Sequence, residues 1–311
     1  MKNIYTMDWH IHTIASYDAT QSYAEVIKRA KEIGITEFGI TEHVNYPFMS
    51  KHLQVSRKMF DQEMYKQNGE INMHFGVELS PMSNYQQKYS EQHEWRLYPL
   101  LLAGMLPEFV DLGSGVPELM RLGHEQAEPW LLALTEEELR EEGVEYVIAA
   151  AHVVFNTPIE PEPLIRHWHA QQMMCATDGR VDVVGHPWQA IWSPEIHREM
   201  LETGRITERA WFGDFKIIPQ SMHDEFAAAL IENGKCAELN MYVFYSDMFS
   251  DKFKCQYAEY IRMLFEKGVP ITTGSDFHDS YDDIQELCAK YLTSVGFTAK
   301  DFSRPKFREY K

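Results

Sequence analysis

Seven short apolar runs, separated by stretches of helical spacing, limit what this sequence can fold into more than any other feature. They are 4–8 (IYTMD), 36–41 (TEFGIT), 71–77 (INMHFGV), 145–151 (EYVIAAA), 181–185 (VDVVG), 236–240 (CAELN) and 270–275 (PITTGS). Runs of this kind suit strands buried on both faces, and such strands belong to parallel sheets covered by helices. The intervening segments supply helices. In 22–33, Ser22 and Glu25 form a capping box, Tyr23, Val26, Ile27, Ala30 and Ile33 make an apolar stripe, and Gly34 is a stop signal. Helical segments are also predicted at 135–142, where Thr135 and Glu138 repeat the capping box, and at 193–203, 222–233, 257–267 and 282–295. Seven such units over 311 residues predict a closed or nearly closed α/β barrel, with an open doubly wound sheet as the second reading. The interval 80–143 is far longer than one helix requires and reads as an insertion. With no repeat, low-complexity tract or Pro/Gly/Ser linker, the chain is expected to be a single domain over 1–311.

Nearly every predicted strand ends in a side chain able to bind metal. His10 and His12 follow the first, His43 the second, Glu78 the third, His152 the fourth, His186 the fifth, and Asp276 with His278 the seventh. In an α/β barrel the C-terminal strand ends converge on one face, so these residues would surround one cavity. Within HIH (10–12) and DFH (276–278), residues i and i+2 of an extended backbone point the same way. Imidazole with carboxylate suits Zn, Mn or Fe ions. The ligand set, which includes Asp18, exceeds what one catalytic ion uses, so two or three divalent ions are expected. Three would outweigh the three carboxylates and leave positive charge to attract a phosphate.

The words DWHIHT (8–13), TEHV (41–44), GVEL (76–79), AAHVV (150–154), VVGHP (183–187) and GSDFH (274–278), in this order, resemble the polymerase and histidinol phosphatase (PHP) superfamily, from residue 8 to about 296. The resemblance implies a distorted (β/α)7 TIM-like barrel with three ions. His10, His12, Glu78 and Asp276 would hold one, Glu78 with His152 and His186 a second, and Asp18 with His43 and His278 a third. Asp18, EYVIAAAHVVF and TTGSDFHDS look most like histidinol phosphate phosphatases, whereas AELNMYVFYSD (237–247) and the insertion depart from them. The implied activity is metal-dependent hydrolysis of a small phosphate monoester, with L-histidinol phosphate the leading candidate, by water activated on the ions. The alternative is a phosphodiesterase acting on a small nucleotide or related diester. His12, His43, Glu78 and Asp276 are the candidates for direct catalysis, with His12, His43 or a neighbouring acid protonating the leaving alcohol. Glu238 and Asn240 are candidate substrate contacts, Asp8 and Glu42 candidate partners for the imidazoles, and Arg96, Arg121, Arg166, Arg180 and Arg198 candidates to grip phosphate. An amidohydrolase, which also starts with HxH, fits less well, because no lysine lies near His152 and both Glu78 and His278 would go unused. A silent barrel would show gaps in the ligand set.

The remaining histidines have plainer readings. HWH at 167–169 falls in a predicted helix, where i and i+2 diverge, so His167 and His169 are expected to be structural or exposed, as are His52, His74, His93, His124 and His197. The acidic stretch from Glu125 to Glu142 reads as an exposed helical face. With 29 basic against 47 acidic side chains, the formal charge of −18 disfavours a nucleic acid polymer and leaves a small phosphorylated substrate as the expected partner. Cys175, Cys236, Cys255 and Cys288 are scattered, as in a cytoplasmic protein, and no run approaches the roughly 20 apolar residues that cross a bilayer. Nothing in the sequence specifies an oligomeric state.

Overall fold

A computed structural model describes residues 3–67, 71–84, 87, 91, 130–152, 160–189, 214–247 and 249–310. The chain runs through β1 (Met7–Asp8), α1 (Tyr23–Ile33), β2 (Glu37–His43), α2 (Ser50–Gln67), β3 (Asn72–Leu79) and the short strands β4 (Met82–Ser83) and β5 (Trp130–Leu131). Then come α3 (Glu136–Glu141), β6 (Tyr146–Ala149), α4 (Pro161–Thr177), β7 (Val183–Val184), α5 (Gln220–Glu232), β8 (Cys236–Asn240), α6 (Tyr242–Tyr245), α7 (Asp251–Glu266), β9 (Ile271–Gly274) and α8 (Gln285–Ser294). Each apolar run yields one strand of a parallel sheet ordered β1-β2-β3-β6-β7-β8-β9. The last strand returns to the first: Trp9 N–H donates to the Thr273 carbonyl at 2.8 Å, and Ile11 bridges Phe277 in parallel. A nearly closed seven-stranded barrel results, and the doubly wound alternative falls, because an open sheet would leave β1 and β9 as separate edges.

Local chemistry explains the best-placed helix. Ser22 caps α1, with Glu25 N–H donating to its hydroxyl at 3.3 Å and the Glu25 carboxylate accepting from Ser22 N–H at 2.7 Å. The predicted stripe of Tyr23, Val26, Ile27, Ala30 and Ile33 is buried against the barrel. Thr135 and Glu138 close the same box on α3, with Leu139 buried beneath it. α7 begins at Asp251, six residues before the predicted start, because Ser250 caps it and Phe253 joins the core. The helix predicted at 193–203 lies outside the described residues, as does most of 80–143. That segment's near ends meet where β4 pairs antiparallel with β5.

Strand register stacks the interior in layers. His43 is paired with Glu78 across β2 and β3, and Glu78 with Ile148 across β3 and β6, so all three point inward. Two and four residues earlier the same pleat brings in Gly76 and His74. The Tyr146 ring lies across Gly39 and Gly76, where a Cβ at either glycine would collide with it, and its hydroxyl donates to the Trp9 carbonyl at 2.6 Å. The pleat therefore puts bulk at the N-terminal end and polar ligands at the C-terminal rim. Among the described residues, no helix is long and apolar enough to cross a membrane.

Candidate metal centre

All nine predicted ligands meet at the C-terminal rim, with Glu78 as the hub. Its two oxygens face different partners. Glu78 Oε2 lies 3.2 Å from His10 Nε2, 3.4 Å from His12 Nε2 and 2.9 Å from His43 Nδ1. Glu78 Oε1 lies 3.1 Å from His152 Nε2 and 3.2 Å from His186 Nε2. Asp276 Oδ1 approaches His10 and His12 at 3.5 and 3.3 Å. Asp18 Oδ2 stands 3.3 Å from His43 Nε2 and 3.7 Å from His278 Nε2.

Several of these contacts are not hydrogen bonds. Glu78 Oε2 and His43 Nδ1 are buried and unbonded although they are 2.9 Å apart, and Asp18 Oδ1 is buried and unbonded as well. Nitrogen also faces nitrogen, with His10 Nε2 at 3.0 Å from His12 Nε2 and His43 Nε2 at 3.4 Å from His278 Nε2. Buried polar atoms ordinarily find hydrogen-bond partners. Lone pairs aimed at shared points instead of at each other are what cations would satisfy, and the donor set of imidazole and carboxylate fits Zn, Mn or Fe. His10, His12 and Asp276 offer such a set, as do His12, His43 and His278, and His43, Glu78 and His152.

Electrostatics couple the carboxylates and imidazoles of the cluster closely. Burial pushes the Glu78 and Asp276 carboxyls upward, but neighbouring imidazoles, His10 foremost, outweigh it and hold both far below the usual carboxylate range. Asp18 is held low in the same way, chiefly by His43. Burial also opposes charge on His10, His43 and His186, yet the carboxylates around them raise all three. Burial lowers His152, and it drives His12 down to about 4 with help from His43 and His278. His12 therefore keeps a free lone pair at neutral pH and makes a poor acid. The backbone is shaped for the site too: His186 and Asp276 have positive φ of 25° and 59°, held by His186 N–H donating to Glu238 Oε2 at 2.6 Å and Asp276 N–H to the His10 carbonyl at 2.7 Å.

Supporting residues differ from several expectations. Glu238 and Asn240, expected to touch substrate, are 1% and 0% exposed and lie among the ligands. Glu238 Oε1 is 2.7 Å from His10 Nδ1, and Asn240 Nδ2 donates to Asp276 Oδ2 at 3.2 Å. Glu238 is thus the carboxylate that orients His10. Asp8 touches no imidazole; it accepts from Tyr281 at 2.6 Å and from Ser275 N–H at 2.9 Å. Glu42 reaches His12 only through Ser16, whose hydroxyl donates to Glu42 Oε2 at 2.5 Å and lies 3.3 Å from His12 Nδ1. Ser16 and Ser80, the latter with its hydroxyl 2.7 Å from His152 Nδ1, were missed, because isolated serines carry no spacing signal.

Arg166 pairs with Glu162 on an exposed face, and Arg180 clasps Asp178 and the Leu134 carbonyl before β7, so neither grips phosphate. Arg96, Arg121 and Arg198 lie outside the described residues, as do His93, His124 and His197. His169 is buried, 2.9 Å from Glu225 and stacked on Trp188, and His167 packs on Trp130, so both are structural.

Fold and cluster together define a parallel α/β barrel with a histidine–carboxylate site of metal-binding type on its rim. The PHP domain model matches residues 8–242, most of the chain, and the protein belongs to the PHP domain family. No curated protein sequence matches it. Its fold is similar to that of the histidinol phosphate phosphatase from Lactococcus lactis subsp. lactis Il1403 complexed with Zn, L-histidinol and phosphate. The TM-score is 0.57 at 13% identity, covering 96% of this chain and 99% of that one. Weaker likenesses are to a Xaa-Pro dipeptidase with bound methionine (TM-score 0.36, 10% identity, 94% of this chain and 70% of that one). A protein assigned as a metal-dependent phosphoesterase from Bifidobacterium adolescentis ATCC 15703 gives 0.33, 10%, 94% and 97%. At these TM-scores the last two bear on neither fold nor function.

Proposed function

We propose that the protein is a metal-dependent phosphoester hydrolase acting on a small phosphate monoester, with L-histidinol phosphate as the leading candidate. The observation that carries this reading is the division of Glu78, one oxygen among His10, His12 and His43 and the other between His152 and His186. A carboxylate shared in this way can bridge two ions. Asp276 would complete the set of His10 and His12, while Asp18 with His43 and His278 would hold a third ion. Divalent ions bound there supply an acidified water and neutralise phosphoryl oxygens. The chain's own part is to hold nine donors in place before substrate arrives, through Glu238 on His10, Ser16 on His12 and Ser80 on His152. The L. lactis protein of the same fold was solved with zinc, L-histidinol and phosphate, which supports a phosphorylated alcohol as the substrate class.

Elemental analysis combined with hydrolysis of p-nitrophenyl phosphate, bis-p-nitrophenyl phosphate and L-histidinol phosphate tests the proposal. Two or three bound Zn, Mn or Fe ions and monoester turnover abolished by chelation are expected. Turnover that survives chelation and metal-free dialysis would refute it. A preference for the bis-ester would move the substrate to a phosphodiester, and turnover without histidinol phosphate activity would keep the chemistry and discard that substrate.

A further inference from the structure

Glu42 is a buried carboxylate that the metal cluster does not use. It precedes His43 on β2 and points to the opposite face of the strand, where it is 2% exposed and meets α1. None of its hydrogen-bond partners is a lysine or an arginine, so neutral donors offset its burial. Oε1 accepts from the Thr13 hydroxyl at 2.5 Å and from the Tyr23 hydroxyl of α1 at 3.3 Å. Oε2 accepts from Thr13 N–H at 3.2 Å and from the Ser16 hydroxyl at 2.5 Å. All but the Tyr23 bond go to the loop after β1, and that loop carries Asp18.

The Ser16 hydroxyl is the junction. It has a single proton, which goes to Glu42, and two lone pairs. One lone pair accepts from the His43 backbone N–H at 3.1 Å, and the other faces His12 Nδ1 at 3.3 Å. His12 Nδ1 must then carry the imidazole proton, which leaves the Nε2 lone pair for the rim, where Asp276 Oδ1 stands 3.3 Å away. If the Ser16 proton turned toward His12, Nε2 would carry the hydrogen and could not bind a cation. Glu42 opposes that turn, because Oε2 already takes Thr13 N–H and has no proton to give Ser16 in return. The loop is fixed at both ends as well. Ser16 N–H donates to the Thr13 carbonyl at 2.8 Å, Ile14 N–H to the Gln21 carbonyl at 2.9 Å, and Thr20 N–H to the His278 carbonyl at 2.9 Å. Asp18 is thereby presented to His43 and His278 at 3.3 and 3.7 Å.

We propose that Glu42 and Ser16 are positioning residues that serve two ion-binding groups at once. Through Ser16 they hold His12 in its Nδ1–H form for the group it shares with His10 and Asp276, and they fix His43 and the Asp18 loop for the group completed by His278. This rests on the metal-dependent reading above. The pair on the other oxygen of Glu78 is oriented from elsewhere, His152 by Ser80 and the His186 backbone by Glu238, so Glu42 does not reach it.

Nitrogen NMR of the imidazole side chains during a zinc titration reads each ligand separately. In the zinc-free wild type, His12 should carry its proton on Nδ1. In Ser16→Ala, zinc affinity read at His12, His43 and His278 should fall about 10- to 100-fold, the scale on which orienting groups act on metal ligands, while affinity read at His152 and His186 is unchanged. Glu42→Ala should repeat that pattern. Glu42→Gln, whose amide oxygen can accept both bonds now made to Oε2, should recover most of the loss. If Glu42→Ala does not fold, Ser16→Ala decides alone. A proton on Nε2 of wild-type His12 would overturn the positioning role, as would a loss in Ser16→Ala that is absent, confined to one imidazole or equal at all of them. Glu42→Gln as weak as Glu42→Ala would overturn it too, since the Ser16 proton would then not be what matters. Phosphoester turnover measured in parallel separates the two ideas. The expected zinc pattern without turnover keeps the positioning role and ends the hydrolase reading. Turnover with zinc binding unmoved in Ser16→Ala does the reverse, and a protein that binds no zinc loses both.

Discussion

The two ends of this barrel both set histidine among carboxylates, but only at one end are those histidine and carboxylate atoms all bonded. At the N-terminal floor, His74 Nδ1 meets Glu145 at 2.7 Å and His74 Nε2 meets Glu37 at 3.2 Å, while Arg304 pairs with Glu37 at 2.7 Å and Arg308 with Asp182 at 3.0 Å. The Phe307 ring stacks on His74 at 4.3 Å and packs against Trp9 and Tyr146, closing the floor with the C-terminal tail. At the rim, nitrogens face nitrogens, and Glu78 Oε2 and His43 Nδ1 lie unbonded. His74 and Glu78 stand on the same face of the same strand, four residues apart. The difference therefore lies in the partners: each His74 nitrogen meets a carboxylate at the floor, whereas at the rim imidazole nitrogens also face one another and carboxylate oxygens of Glu78 and Asp18 lie unbonded. A floor of that kind serves folding, and such a rim requires a third body.

The largest break in this comparison should come from Glu78→Gln, which keeps the volume and removes the charge that two groups of imidazoles share. A loss in kcat/KM on the order of 10³ or more, about 4 kcal/mol, is expected together with loss of bound metal. Elemental analysis beside p-nitrophenyl phosphate turnover checks it, with circular dichroism to show that the fold persists. A variant that kept the full metal complement would end the bridging role. The opposite substitution is Phe307→Ala at the floor. It should lower stability by about 2 kcal/mol, less than for a fully buried Phe, and leave metal content unchanged. Denaturant titration and elemental analysis decide, and metal loss there would mean that the two ends are not independent.

The contrast also sorts what could be read from the sequence. The seven strands were legible because each is a short apolar run, and the rim was legible because eight of its nine ligands follow the end of one, Asp18 in the loop after β1 being the exception. α1 was legible because its buried residues are all apolar. α2 was not: it buries Leu53, Ser56, Phe60 and Glu63, so polar side chains interrupt the stripe that would have announced eighteen helical residues. The floor was equally hidden, since tail residues 304–308 have no periodicity and their partners lie far away in sequence. Glu238 was visible as a strand-end carboxylate, but its role depends on closure of the barrel, which puts β8 within 2.7 Å of His10. Spacing predicts which residues reach the rim; it does not predict which of them face a neighbour's second nitrogen.

A smaller effect sharpens the rim itself. Ser80 has one proton, which it donates to Asn45 Oδ1, so it accepts from His152 Nδ1 and leaves Nε2 to face Glu78. Ser80→Ala should weaken binding of a single ion by about 10- to 100-fold and spare the others. Stepwise metal titration followed by calorimetry would show one class of site lost, and Ser80→Thr should restore it. Uniform weakening of every ion would make Ser80 a general packing residue.

The smallest effect belongs to the floor and is read in pH. Burial pushes the Glu145 carboxyl up, but its hydrogen bond from His74 and another from Phe75 N–H at 2.9 Å overcome that and hold it below the ordinary carboxylate value. A depressed folded pKa means that the unfolded chain takes up the proton first. The stabilisation is therefore complete above the unfolded value near 4.5 and disappears as pH falls through the lower folded one. Glu145→Gln should cost a few tenths of a kcal/mol at pH 7, a small figure because its side chain is 34% exposed and water screens the pair. As pH falls from 4.5 through the lower folded value, the wild type and the variant should converge in urea titrations. A gap that stayed constant from pH 7 to pH 3 would show that the His74 contact works by shape alone, and the floor's completeness would then be steric and not electrostatic.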